Sequence, residues 1–394
     1  MIKRTVEISR EPAHVAVRDE QLLVLRRTEP PPRLPARPPD LAGSVPCEDL
    51  GVVMVDHRET TYSHAALAKI AEHGAALVVC GRDHHPVGMY LPISGNSELL
   101  SRLDAQLGAS KPTLKRAWAE IVAAKIRAQA AALPEGPDAA AARARLTALA
   151  RGVRSGDPDN AEAQAAAAYW PVVFARSTFL AHPFRRRAGE GLDRTAPPPN
   201  NLLDYGYAAL RAAVARALVS AGLLPALGIK HRGRSNPFCL ADDLMEPLRP
   251  LVDRRVRFLA ERGDLGLDQP VKAELLGVLT GEVDCEAANG VLRGPLLVAV
   301  TRYVASFVRV LRGEQDRLSI PAAPAASGGA GRVRRMPDSD PGEEVTADGP
   351  TAEGKAEETE QDGAEAGTMG GAEAGERAAE GERDGLFGGR RPCT

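Results

Sequence analysis

An α+β protein is the fold this sequence predicts. A β-rich N-terminal part spans residues 1–95, an all-α part spans 96–320, and an acidic low-complexity tail spans 321–394. Three observations predict it. Short apolar runs with partial alternation, punctuated by turn residues, fill the first 95 residues. From about Ser97 the apolar residues recur at i, i+3, i+4 and i+7 instead. From Pro321 onward, Gly, Ala, Glu and Asp dominate, and aromatic and β-branched residues almost vanish.

The β-rich part begins with strands at residues 5–9, 14–18 and 21–26, separated by Glu11-Pro12 and Asp19-Glu20. The proline run at 30–39 cannot lie inside a sheet and reads as a loop. Residues 50–55 form a short apolar run of the kind a buried strand requires. Ser63 is placed to cap a helix over 64–73, with Gly74 at its C′ position. Residues 77–80 and 87–93 read as two further strands.

The helical part opens with residues 111–133, where Leu114, Trp118, Ile121, Val122, Lys125 and Ile126 follow helical spacing. Pro134-Glu135-Gly136-Pro137 breaks it. Helices are then expected at 139–151, 160–174, 201–221, 240–261, 270–279 and 292–311. A basic, Pro- and Gly-containing loop, 184–199, lies between two of them. The tail has too little apolar surface to offset the entropy of ordering and reads as disordered.

The net charge of −2 hides an asymmetry. Residues 321–394 carry 16 acidic and 8 basic side chains, which leaves 36 acidic and 42 basic in residues 1–320. The body is therefore basic, as a phosphate-binding surface requires, and the tail is acidic. The five cysteines, widely spaced and without a C-x-x-C, suit neither a disulfide framework nor a zinc ribbon. The N-terminus lacks a signal-peptide core, and Arg302 and Arg309 interrupt the one membrane candidate, 295–311. A soluble cytoplasmic protein with no membrane contact is the expectation. Arg outnumbers Lys 42 to 8, a bias that a GC-rich genome explains as well as phosphate binding does.

Three positions in the helical part stand out. Glu162 follows a Gly-Asp-Pro turn at a helix start, where an acid also simply complements the helix dipole. His231 sits in a polar loop with Lys230, Arg232 and Arg234, whose charges disfavour its protonation. Glu246 shares a helix face with Asp242 and Asp243, a crowding that calls for a cation or a basic partner such as Arg249, Arg254 or Arg255. Two carboxylates and an imidazole suit Mg²⁺ or Mn²⁺. Spacing alone defines no motif here.

Longer stretches carry a resemblance. Ser155-Gly156-Asp157-Pro158-Asp159-Asn160, Glu162-Ala163-Gln164 and Tyr169-Trp170 come first. Tyr205-Gly206-Tyr207, Gly228-Ile229, His231-Arg232, Leu240-Ala241-Asp242-Asp243-Leu244-Met245-Glu246-Pro247, Arg249-Pro250 and Val252-Asp253 follow in order. Together they resemble the CRISPR-associated integrase family, the endonuclease subunit of the spacer-acquisition complex, and most of all its type II version. The likeness covers about residues 48–311.

The resemblance implies a β-domain that dimerises and a helical domain that is catalytic. It implies that Glu162, His231 and Glu246 ligate the metal, with Asp243, Arg249 and Asp253 orienting them. It implies a homodimer bound to a small ferredoxin-like second subunit. It also implies attack by the 3′-hydroxyl of short foreign double-stranded DNA on the repeat edge of a CRISPR array. The type II RNA-guided effector is a further candidate partner. Lys230 and Gly233 stand where relatives often carry His and Asn, and the acidic tail has no counterpart.

Arg185, Arg186, Arg187, Arg232 and Arg234 are candidate phosphate contacts. Tyr205 and Tyr207 fit a core better than a base-stacking role. Two other functions compete: a non-catalytic DNA-binding scaffold, and a metal-dependent phosphohydrolase acting on a small nucleotide.

Overall fold

The structure is a computed structural model. It describes residues 3–27, 40–92, 96–181, 183–187, 196–287, 290–324 and 333–336. The chain divides into Met1–Val345 and Thr346–Thr394, the second wholly outside the described residues. The proline-rich loop at 30–39, residues 188–195 of the basic loop and 337–394 of the tail also lie outside them.

The short N-terminal runs become strands β1 (Arg4–Ile8), β2 (Ala13–Arg18), β3 (Gln21–Arg26), β4 (Leu41–Pro46), β5 (Leu50–Val55), β6 (Thr61–Tyr62), β7 (Ala76–Cys80) and β8 (Pro86–Tyr90). One sheet has the order β1-β5-β7-β8, the first three parallel and the last antiparallel; the other has the order β4-β3-β2-β6. Helix α1 (His64–Glu72) starts where Ser63 accepts the Ala66 N–H at 3.1 Å, and Gly74 follows it at φ +63°.

β5 is buried at every position. Its alternation therefore divides apolar residues between two cores. Val53 and Val55 join Ile8, Val15, Leu22, Ile70 and Leu77 on one face. Val52 and Met54 join the helical core on the other. β4 has no counterpart in the sequence pattern: it holds Gly43, Ser44 and Pro46, and its exposed residues show none of the burial that leaves an apolar signal.

The helical part comprises α2 (Leu99–Leu107), α3 (Lys111–Ala132), α4 (Pro137–Gly152), α5 (Ala161–Val173), α6 (Asn200–Ser220), α7 (Cys239–Met245), α8 (Arg249–Arg262), α9 (Gln269–Leu276) and α10 (Leu296–Arg312). α6 is the central rod, set against β5, β7 and α7 to α10. At Gly206 an added Cβ would lie 2.5 Å from Val252, so only glycine lets α6 approach α8 this closely.

Three expectations need correction. The single helix over 240–261 is broken: Glu246–Leu248 forms a 3₁₀ turn between α7 and α8, because Pro247 and Pro250 donate no backbone N–H. The helix expected at 292–311 begins later, since β9 (Glu282–Ala287) and β10 (Gly290–Pro295) form an antiparallel ribbon first. The tail does not begin at Pro321. Ala322 pairs with Asp284, and β11 (Val333–Arg335) runs parallel to β10.

A buried ion pair joins the first sheet to the helical part. Lys272 of α9 meets Asp56 just past β5, with both side chains almost fully enclosed. His84 Nδ1 lies 3.0 Å from the same carboxylate. Among the described residues no helix is long and apolar enough to cross a membrane. Cys47, Cys80, Cys239 and Cys285 are free thiols.

Candidate active site

Three local structures position the predicted acids and imidazole: Glu162 and Glu246 meet on one lysine, and His231 lies within electrostatic reach of both. The first is the turn before α5. Asp157 and Asn160 adopt positive φ, and Asp157, rather than Asn160, supplies the cap. Its carboxylate accepts the N–H of Ala161 at 2.7 Å and of Glu162 at 3.2 Å. This fixes Glu162 in the first turn, facing α3.

The second is the loop between α6 and α7. The Asp243 carboxylate is fully buried beneath it. It accepts the backbone N–H groups of Ile229 at 2.5 Å, Lys230 at 2.8 Å and His231 at 3.2 Å, and His231 Nδ1 at 2.6 Å. The loop comes this close because residue 228 is glycine. A Cβ there would meet the His231 carbonyl at 2.2 Å and Asp243 Oδ2 at 2.9 Å. A carboxylate can only accept, so Nδ1 carries the hydrogen, and in the neutral ring Nε2 keeps its lone pair. Trp118 of α3 holds the ring edge-on, 6.1 Å between centroids.

The sign expected for His231 is reversed. Its hydrogen bond to Asp243 outweighs burial, and the Asp243, Glu246 and Glu162 charges add to it, so its pKa lies above the usual imidazole value. Lys230, Arg232 and Arg234 are exposed, and water screens their charges.

The third local structure is the α7 turn, where the structure sorts three neighbouring acids. Asp242 is taken by Arg211 Nε and Asn236 Nδ2, each at 2.7 Å. Asp243 is taken by the His231 loop. Glu246 remains, at the head of the 3₁₀ turn, with Oε1 3.1 Å from Arg249 Nε. Burial pushes its carboxyl up, but Arg249, Lys125 and His231 outweigh burial and hold it below the ordinary value.

Lys125 of α3 links the first and third structures. Its Nζ lies 2.7 Å from Glu162 Oε1 and 2.6 Å from Glu246 Oε2. Burial works against the ammonium, yet the two glutamates raise its pKa overall. Sequence reasoning assigned Lys125 no role. The available signal was a lysine at a buried position of an otherwise apolar helical pattern.

Asp253 does not touch the three residues. It accepts the hydroxyls of Tyr169 at 3.0 Å and of Tyr207. Burial raises its pKa to about 6 despite those bonds and the Arg249 charge. Its reach to the site runs through Tyr207, whose ring lies 4.7 Å from the Arg249 guanidinium. Tyr205 and Tyr207 are both core residues.

Arg185, Arg187, Arg232 and Arg234 are exposed. Arg186 departs from the expected phosphate role. It turns inward to pair with Asp204, donates to Asn200 at 2.9 Å and covers the Tyr207 ring.

The residues fit a divalent cation by the chemistry of the donor set. Two carboxylates and an imidazole with a free Nε2 are hard and borderline donors. A cationic nitrogen already sits between the two carboxylates. Among the described residues no three His, Cys, Asp or Glu close around one point.

Glu162 and Glu246 thus share one half-buried ammonium, with His231 within electrostatic reach of both and Arg232 and Arg234 exposed on the His231 loop. Residues 6–282 match the family described as CRISPR associated protein Cas1. The chain is 41% identical over 267 residues to the CRISPR-associated endonuclease Cas1 of Neisseria meningitidis serogroup C, covering 67% of this chain and 82% of that one. Among solved structures, a casposase bound to its integration product superposes with a TM-score of 0.61 at 17% identity, over 80% of this chain and 93% of that one. A chain of a Cas6-RT-Cas1–Cas2 complex gives 0.58 at 16% identity, over 81% and 36%. The protein belongs to the Cas1 family.

Proposed function

We propose that this chain is a metal-dependent DNA endonuclease and integrase of CRISPR adaptation. It joins the 3′-hydroxyl ends of short foreign DNA to the repeat edge of a CRISPR array. The single observation that carries this reading is the meeting of Glu162 and Glu246 on one cation, with His231 within electrostatic reach of both. Family membership and the casposase fold support the same reaction class.

Glu162, His231 and Glu246 are the residues that would hold Mg²⁺ or Mn²⁺, which would supply Lewis-acid polarisation of a phosphoryl oxygen and activation of the attacking hydroxyl. Asp243 keeps the imidazole in one tautomer and aims Nε2. Arg249 neutralises the far oxygen of Glu246. Arg185, Arg187, Arg232 and Arg234 contact phosphates without reading bases. One P–O bond forms to the incoming 3′-oxygen as another breaks, and the displaced strand leaves as a 3′-hydroxyl. The exchange is isoenergetic in bond type, so no nucleotide is consumed.

The protein works in the cytoplasm as a homodimer with a small ferredoxin-like subunit. A chain of this fold occurs in the Cas1–Cas2 assembly noted above.

The test is strand joining with the purified partner, a labelled oligonucleotide and a repeat-bearing plasmid. Glu162→Ala abolishes joining, as EDTA does in the wild type, while DNA affinity stays within about twofold of wild type because phosphate contacts lie elsewhere. Joining by the variant at the wild-type rate would overturn the assignment.

A further inference from the structure

The proposed metal site already contains a positive charge. Lys125 Nζ lies almost equidistant from Glu162 Oε1 and Glu246 Oε2, at 2.7 and 2.6 Å. The other oxygen of Glu246 is held by Arg249 at 3.1 Å. Glu246 Oε2 has no hydrogen-bond partner of good geometry, so the ammonium is its principal compensation. Lys125 itself is 14% exposed at the side chain, and its stem is anchored in a 22-residue helix.

Mg²⁺ binds oxygen ligands at about 2.0–2.1 Å. An ion on these two oxygens and an ammonium on the same two oxygens would compete for the same space and repel each other. The divalent ion alone balances the two carboxylates, and Lys125 balances them together with Arg249; metal and ammonium at once overcompensate the pair. A lysine suits such a role better than an arginine. Its compact charge sits on four flexible carbons and can withdraw without moving the backbone.

We propose that Lys125 is the internal counter-ion of the metal-free site, and that a divalent metal enters by displacing its ammonium from Glu162 and Glu246. The inference rests on the metal reading given above. Lys125 then sets how tightly the metal binds and keeps the empty site from destabilising the fold. A merely structural salt bridge would affect stability alone.

The experiment measures Mn²⁺ binding by electron paramagnetic resonance, and thermal unfolding with and without Mn²⁺. It uses the full chain as wild type, Lys125→Met, Lys125→Gln and Glu162→Gln. The metal-free Lys125→Met protein melts below wild type, because the buried Glu246 and half-buried Glu162 carboxylates lose their shared partner. Its Mn²⁺ affinity rises by at least about tenfold, equivalent to about 1.4 kcal/mol, and Mn²⁺ raises its melting temperature more than that of wild type. Lys125→Gln follows in the same direction, and serves if the methionine variant does not fold. Equal or weaker Mn²⁺ binding by both lysine variants, with Glu162→Gln still abolishing it in the wild-type background, would overturn displacement and leave the metal reading intact. Binding that survives Glu162→Gln unchanged, or no binding by any form, overturns both.

Discussion

Replacing Asp243 by asparagine tests how the His231 loop is held. The substitution conserves volume and removes one charge. Asp243 Oδ2 serves the N–H groups of Ile229 and Lys230, and Oδ1 serves the N–H and Nδ1 of His231. An amide has one accepting oxygen and one donating nitrogen. Either orientation of the new side chain therefore keeps two of the four bonds and turns an NH₂ toward two other donors. Each bond to a charged acceptor is worth about 1.5–3 kcal/mol. Water can reach His231 and offsets part of the loss, so the net destabilisation is about 3 kcal/mol. Urea unfolding of the metal-free protein measures it. The same change removes the group that orients the imidazole, and Mn²⁺ affinity falls by about 10–100-fold. A variant within about 0.5 kcal/mol of wild type and with unaltered Mn²⁺ binding would refute the reasoning.

Two further outcomes follow from buried charges elsewhere. Lys272→Met strands the enclosed Asp56 carboxylate with the His84 imidazole beside it, at a cost of about 3–5 kcal/mol; adding Asp56→Asn recovers most of this, which a double-mutant cycle in urea reads directly. Asp253 has a folded-state pKa of about 6, above its unfolded value. The folded protein thus holds this proton more tightly. Its contribution to stability is complete below about pH 4 and is lost as pH rises through about 6, a change of about 3 kcal/mol. Asp253→Asn removes that slope, so wild-type and variant urea midpoints plotted from pH 4 to 7 diverge across the window; parallel curves would show that Asp253 does not titrate there.

Local patterns were legible in the sequence, and partnerships across the chain were not. Ser63, the apolar run of β5 and the 3.6 period of α3 are signals carried by neighbours, and each appears in the structure where it was expected. β4 left no such signal, because an exposed edge with Gly43 and Pro46 has no buried face to mark it. The ribbon of β9 and β10 was hidden because its apolar residues lead straight into those of α10. The three acids near Glu246 were visible, but which one stayed available depended on Arg211, Asn236 and the His231 loop. Lys125 was missed for the same reason: its partners lie on two other elements, and only folding brings them together.

The bond between Asp56 and Lys272 also bears on how the chain is made. The partners are 216 residues apart. At about 5–20 residues per second, a ribosome needs roughly 10–40 s to deliver the lysine after the aspartate. For most of that time the first sheet lacks α6, the helix set against β5 and β7, and Val52, Met54 and Val78 stay uncovered. Its Asp56 carboxylate needs water, while the apolar face around it needs shelter from water and from other nascent chains. The half-made protein is thus most prone to aggregate before α6 emerges, and Asp56 waits longer still, until α9 follows. Slowing translation ahead of α6 lengthens the exposure, and a holding chaperone would act on the sheet face that the finished fold hides.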